Sequence, residues 1–226
     1  MGGLIGGEAK KLNNQRISGK SICGTLMSKA ITYSMGVLEV NASMGLIVAA
    51  PTAGASGVIP GVFLALQEEQ GLDDSVMIKA LYNAGAIGYI ISKNATVAGA
   101  EGGCQAEVGT ASAMAASALT EILGGSPEQC LDAASTTIIN ILGMVCDPIG
   151  GLVEVPCQKR NAHGTTNAII SAEMILSGIK NVIPFDQVVE AMYRVGKSLP
   201  LELRETALGG IAATKSACEI CSLVNC

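Results

Sequence analysis

The chain has no tryptophan, 2 phenylalanines, 4 tyrosines and a single histidine among 226 residues. With so few rings, the core has to be assembled from Ala, Ile, Leu, Val and Met, and such side chains let helices approach closely. Charge is scarce as well, at 15% of residues and a net charge of -5. The 14 Lys and Arg are scattered rather than gathered into the basic stripe that a phosphate backbone requires, which excludes nucleic acid as a partner. No stretch alternates apolar and polar residues for the length of a strand, so β structure should be minor. No repeat, linker or low-complexity tract divides the chain, and its length fits one domain spanning residues 1–226. The expected fold class is all-α: a single compact multi-helix domain with Gly-rich loops around a cavity.

A mean hydropathy of +0.46 raises the question of a membrane span, because residues 40–66 carry no charge. Pro51, Pro60 and Gly45, Gly54, Gly57 and Gly61 interrupt that run, and no aromatic belt flanks it, which argues against a span. At the N-terminus the basic residues Lys10 and Lys11 follow the short apolar piece instead of preceding it, unlike a signal peptide. A cytoplasmic protein is the expectation. In that compartment 8 cysteines point away from a disulfide scaffold and toward metal binding or core packing.

Helical periodicity is the main signal in what remains. Ile22, Leu26, Ala30, Tyr33, Val37, Val40 and Met44 recur every three or four positions, predicting one long helix closed or bent at Gly45. After the loop at residues 50–57, an apolar run to Leu66 predicts a helix that ends before Gly71. Val76, Ala80, Leu81, Ala84, Ile87 and Ile91 form another helical face. Ser126-Pro127-Glu128-Gln129 is a helix start with an N-cap, a proline at N1 and a capping-box Gln, predicting a helix to about Leu142. Further helices are expected over residues 164–177, closed by Gly178, and 185–198, opened by Pro184.

Three cysteines sit at turns of this helical chain: Gly-Gly-Cys104-Gln-Ala-Glu, Val-Cys146-Asp-Pro-Ile-Gly-Gly and Val-Pro-Cys157-Gln-Lys-Arg-Asn. Thiolates are favoured at helix N-termini by the macrodipole and free backbone N–H groups, and three of them would leave one iron of a four-iron cluster open to substrate. On residues alone, three buried cysteines packed as small hydrophobes remain an equal alternative. Cys23 and Cys130, inside helical stripes, read as such core residues. Cys218, Cys221 and the terminal Cys226 form a late C-x-x-C with a terminal thiol, and Cys226 is a candidate for a displaceable fourth ligand. Lys159, Arg160 and Asn161 directly follow Cys157, where Arg160 offers a bidentate carboxylate clamp and Asn161 an amide hydrogen bond. Thr52, Gly54, Ser56 and Gly57 precede a helix, where hydroxyls and backbone N–H groups can cradle a carboxylate. Asn41 and Ser43 are weaker candidates. His163 reads as a capping or surface residue, and Glu107 and Glu154 as hydrogen-bond acceptors beside the cysteines. The general base stays unassigned.

The segments Asn41-Ala-Ser-Met-Gly, Ala50-Pro-Thr-Ala-Gly-Ala-Ser-Gly-Val-Ile-Pro-Gly, Gly103-Cys-Gln-Ala-Glu-Val-Gly, Cys146-Asp-Pro-Ile-Gly-Gly-Leu-Val-Glu-Val-Pro-Cys-Gln-Lys-Arg-Asn-Ala and Ala207-Leu-Gly-Gly-Ile-Ala resemble the alpha chain of bacterial iron-sulfur L-serine dehydratase. The resemblance runs through nearly the whole chain. It implies a lyase that converts L-serine to pyruvate and ammonia with a 4Fe-4S cluster and no pyridoxal phosphate, the cluster being held by Cys104, Cys146 and Cys157. It implies substrate contacts at Thr52, Gly54, Ser56, Arg160 and Asn161, and a homo- or hetero-oligomer with a beta subunit or beta domain. The N-terminal helical stretch and the beta region of that family are absent from this chain. A related L-cysteine desulfidase-type lyase and a non-catalytic helical binding or scaffold domain are the alternatives.

Overall fold

The computed structural model of the protein describes residues 3–224. Among the described residues there is no strand beyond one isolated parallel bridge between Cys146 and Arg204, so the all-α expectation holds. The helices are α1 (Glu8–Ile17), α2 (Gly24–Ala42), α3 (Val58–Gln70), α4 (Asp74–Asn94), α5 (Gly99–Gly102), α6 (Cys104–Ile122), α7 (Pro127–Asn140), α8 (Cys157–Leu176), α9 (Phe185–Ser198) and α10 (Lys215–Val224). None of the described helices is long and apolar enough to cross a membrane.

Helix α6 is the axis of the molecule. Sixteen of its 19 residues are buried, and α3, α4, α7, α8 and α9 all pack on it. The composition makes this possible, because Ala106, Ala111, Ala113, Ala115, Ala116 and Ala118 present little bulk in any direction. Close approach also depends on glycine. A Cβ on Gly164 of α8 would stand 2.6 Å from Val108 Cγ1 and 2.8 Å from Ser112 Oγ of α6, and one on Gly61 of α3 would stand 2.8 Å from the Ala30 carbonyl of α2. The hydroxyls that a helix buried all round must satisfy turn back on its own backbone: Thr120 donates to Ala116 at 2.8 Å, and Ser112 lies 2.7 Å from the Val108 carbonyl oxygen.

Several ends follow local chemistry. Ser126 caps α7 through a reciprocal capping box with Gln129, and Pro184 precedes α9. Gly71, at φ 63°, closes α3. Two boundaries differ from the sequence reading. The long stripe starting at Ile22 becomes α2 from Gly24 only, with Ile22 95% exposed and Cys23 exposed ahead of the helix rather than inside it. At the other end Met44 takes the left-handed conformation (φ 61°), and Gly45 N–H donates to the Val40 carbonyl at 2.8 Å, a Schellman-type termination. Helix α8 begins at Cys157, seven residues before the expected start, because the apolar period there is masked by polar residues that are nonetheless buried, Gln158 and Asn161 among them.

Candidate functional site

The three turn cysteines come from distant parts of the chain and meet at one end of α6. Cys104 is the first residue of α6 and Cys157 the first of α8, so both thiols lie at helix N-termini where sulfur would be favoured as thiolate. The cap before Cys104 is Gly103 at φ 77°, and a Cβ there would stand 2.7 Å from both Leu199 Cδ1 and the Met144 carbonyl oxygen. That position requires glycine. Cys146 sits in the loop between α7 and α8, where its N–H donates to the Leu203 carbonyl at 2.9 Å and its carbonyl accepts from Glu205 N–H at 2.7 Å. Gln105, fully buried beside Cys104, donates to the Gly102 and Met192 carbonyls at 2.9 and 3.0 Å and accepts from Gly143 N–H at 2.8 Å. One side chain thus ties α5, α6, α9 and the start of the Cys146 loop together.

Cys146 and Cys157 line a cavity of about 240 Å³ with Thr52, Ala53, Gly54, Glu107, Pro148, Val153 and Glu205. Cys104 is buried behind them, close enough to raise the Cys146 thiol electrostatically. Burial is the main cause pushing Cys104 and Cys157 up to about 12 and Cys146 up as well, with Arg160 opposing at Cys104. Glu107 Oε2 is 4.0 Å from Cys146 Sγ, and Glu107 Oε1 accepts from the Thr52 hydroxyl at 2.7 Å. Burial raises the Glu107 carboxyl, Thr52 works against this, and Glu205 reinforces it. A larger groove of about 1270 Å³, lined by Val40, Leu46, Val48, Phe63, Leu64 and Leu81 among others, contains none of these thiols.

The substrate-binding candidates divide into two groups. Thr52 and Gly54 stand on the cavity wall. Asn161, fully buried, accepts from Gly57 N–H at 2.9 Å and donates to the Gly54 and Cys157 carbonyls at 2.7 and 2.9 Å, so it clamps the 52–57 loop onto the start of α8. Arg160 pairs with Asp147 at 2.8 Å, donates to the Val145 carbonyl at 2.8 Å and lies near enough to Cys104 to oppose the rise of its thiol; it braces the segment that carries Cys146. Asp147 also accepts from Ile211 N–H at 2.8 Å. Ser56 is buried, its hydroxyl has no partner among the described residues, and it faces the larger groove. His163 is exposed. Glu154 accepts from the N–H groups of Leu4 and Ile5 at 2.7 and 3.0 Å, far from any role in the cavity wall. Cys218 is exposed and Cys221 half-buried on α10, and Cys226 lies outside the described residues.

Glu205, Pro148 and Val153 joined the wall without a sequence signal. Glu205 is brought in by the pairing of residues 203–205 with Cys146, a contact no local pattern announces.

Among the described residues no three His, Cys, Asp or Glu side chains converge tightly enough to hold a single metal ion. A four-iron cluster is several ångströms across and takes thiolates standing farther apart. Three buried thiols, two on the wall of one cavity and the third behind them, two of them at helix N-termini and none committed to a disulfide, form a donor set that fits such a group.

The molecule is therefore a helical protein with a three-thiol site, and comparison with known sequences gives that class a family. The sequence model of the serine dehydratase alpha chain matches residues 1–212. The probable L-serine dehydratase alpha chain of Bacillus subtilis is 51% identical over 218 residues, 96% of this chain and 73% of the relative. The L-serine dehydratase alpha chain of Peptoniphilus asaccharolyticus is 53% identical over 217 residues, 96% of this chain and 74% of the relative. The L-serine dehydratase of Streptomyces coelicolor is 43% identical over 188 residues, 82% of this chain but 41% of a much longer relative. The chain belongs to the serine dehydratase alpha-chain family.

Proposed function

We propose that the protein is the catalytic alpha chain of a cytoplasmic L-serine dehydratase, a lyase that removes water from L-serine to yield pyruvate and ammonia. It works with a 4Fe-4S cluster held by Cys104, Cys146 and Cys157 and without pyridoxal phosphate. The observation that carries this reading is the convergence of three thiols from three separate segments, Cys146 and Cys157 on the wall of one small cavity that also holds Glu107 and Thr52, and Cys104 buried behind them. When bound, the cluster supplies Lewis acidity to the hydroxyl that leaves.

The chain's own residues supply position. Thr52 and the backbone at Gly54 face the substrate, while Asn161 and Arg160 hold the loops behind them in register. Ser56 belongs to the same loop and contributes by packing it. Loss of the α-proton and of hydroxide gives the enamine of pyruvate, which tautomerises and hydrolyses with release of ammonia. Glu107 holds its proton more tightly than an exposed carboxylate, because burial, and then the neighbouring Glu205, disfavour its charged form. The partner is a beta chain or beta region of the same enzyme; the longer relatives leave room for it in one polypeptide.

Anaerobic purification followed by iron and sulfide quantification, with pyruvate release from L-serine measured with and without the beta chain, tests the reading. Iron and sulfide in near-equal amounts with pyruvate formation is expected. A colourless, iron-free protein under strict anaerobiosis would favour a scaffold role, and sulfide release from L-cysteine without dehydration of serine a desulfidase.

A further inference from the structure

Thr52, Gly54 and the thiols leave one charged group on the cavity wall without a role. Glu205 lines the cavity and is exposed, so its carboxylate meets whatever enters. Its place is set by the main chain, through the hydrogen bond from Glu205 N–H to the Cys146 carbonyl and the bridge between Arg204 and Cys146. Its φ of 64° is left-handed, a conformation that disfavours a residue with a Cβ by roughly 1–2 kcal/mol, yet the position carries a glutamate and no glycine. None of the salt bridges among the described residues engages it.

The other carboxylate on the wall is already engaged: Glu107, half-buried, accepts from Thr52 and lies 4.0 Å from the Cys146 sulfur. No Lys or Arg lines the cavity, since Arg160 is spent on Asp147 and Val145. The entering molecule therefore meets an exposed negative charge at one fixed point, which complements a cationic group.

Resting on the serine reading above, we infer that Glu205 recognises the α-ammonium group of the substrate, so that the site selects a 2-amino acid over the 2-hydroxy acid of the same shape. The contact is a charge-assisted hydrogen bond, and a site built to receive a donor discriminates strongly against the analogue that lacks it.

L-Glycerate provides the comparison, because it replaces the ammonium of L-serine with a hydroxyl and keeps the rest. Binding of both to the anaerobically prepared full chain is measured calorimetrically for the wild type, Glu205→Gln and Glu205→Asp, with pyruvate formation followed separately. The wild type is expected to bind L-serine more tightly than L-glycerate. Glu205→Gln, which preserves shape and backbone, should weaken L-serine about 10- to 100-fold and leave L-glycerate within about twofold, with Glu205→Asp between. Parallel weakening of both ligands would show that Glu205 merely holds the Cys146 loop, and unchanged serine affinity would show that the ammonium lies elsewhere; either overturns the inference. Absence of pyruvate from the wild type removes the dehydratase reading alone, because the discrimination between the two ligands is read from binding.

Discussion

At the scale of single residues, what distinguishes the three site cysteines from the others is their company. Cys130 is buried in α7 like any small apolar residue, whereas Cys104 and Cys157 both raise the Cys146 thiol, Cys157 raises that of Cys104, and Cys146 and Cys157 share a cavity with two carboxylates. Replacing any of the three by Ser should abolish iron retention and turnover together, while Cys130→Ser should keep both; iron analysis of anaerobic protein separates the cases, and a retained cluster in all three site variants would require another ligand set. The same thiols predict a pH dependence of the cluster-free protein. Burial holds Cys104 and Cys157 at about 12 against an ordinary value of 9.0. Above that ordinary value the unfolded chain gives up protons that the folded chain keeps. Stability from this source is therefore complete below pH 9.0 and falls as pH rises toward 12, by about 1.4 kcal/mol per pH unit for each thiol. Denaturant titrations between about pH 9 and 11 should show a steeper decline for the wild type than for Cys104→Ser/Cys157→Ser. Equal slopes would mean that the thiols do not titrate differently in the two states.

At the scale of elements, glycine decides how closely helices pack, and its role differs from site to site. Gly164 lies under Val108 and Ser112, so Gly164→Ala gains about 1 kcal/mol of helix propensity but loses about 1–3 kcal/mol to overpacking. Net destabilisation is expected, whereas Gly85→Ala, with open space around the added methyl, should be stabilising by roughly 0.5–1 kcal/mol. Chemical denaturation of both variants checks the contrast; a neutral Gly164→Ala would show that α8 shifts away from α6 without penalty. The same physics governs which helices could be read from the sequence. Helices with one wet face, such as α4, or with explicit start signals, the capping box of α7 and the proline before α9, were legible. Helix α6 was not, because a helix buried on every side has no polar face and hence no period. The site was legible in its cysteines and in Thr52 and Gly54, which local turn chemistry marks. It was not legible in Glu205, or in the clamping roles of Asn161 and Arg160, because those depend on tertiary contacts, such as Asn161 to Gly54 and Glu205 to Cys146, that no local pattern announces.

At the scale of the whole molecule, both described ends of the chain return to the segment that carries Cys146 and Cys157. Helix α10 packs against residues 149–151 and 210–213. From the other end, Leu4 and Ile5 donate both their N–H groups to the buried Glu154 carboxylate, and Ala9 N–H donates to Glu39, which also accepts from Gln158 of α8 at 3.1 Å. Glu154 is 4% exposed and accepts from these N–H groups among the described residues, which ties the N-terminal segment to the cysteine loop. Glu154→Ala removes the acceptor and leaves two backbone donors to find water, a loss of about 1–3 kcal/mol that falls locally on the 146–157 loop before it reaches the core around α6. Hydrogen exchange should consequently quicken in residues 146–157 and 3–9 of Glu154→Ala while the middle of α6 keeps its protection. Removal of residues 215–226 should quicken the same loop from the opposite side, leaving residues 3–9 as they were. Uniform acceleration across α6 in either variant would mean that the ends support global stability rather than the loop, and unchanged exchange at 146–157 in both would show that the cysteine loop is held by its other contacts, such as Arg160 with Asp147 and Cys146 with residues 203–205.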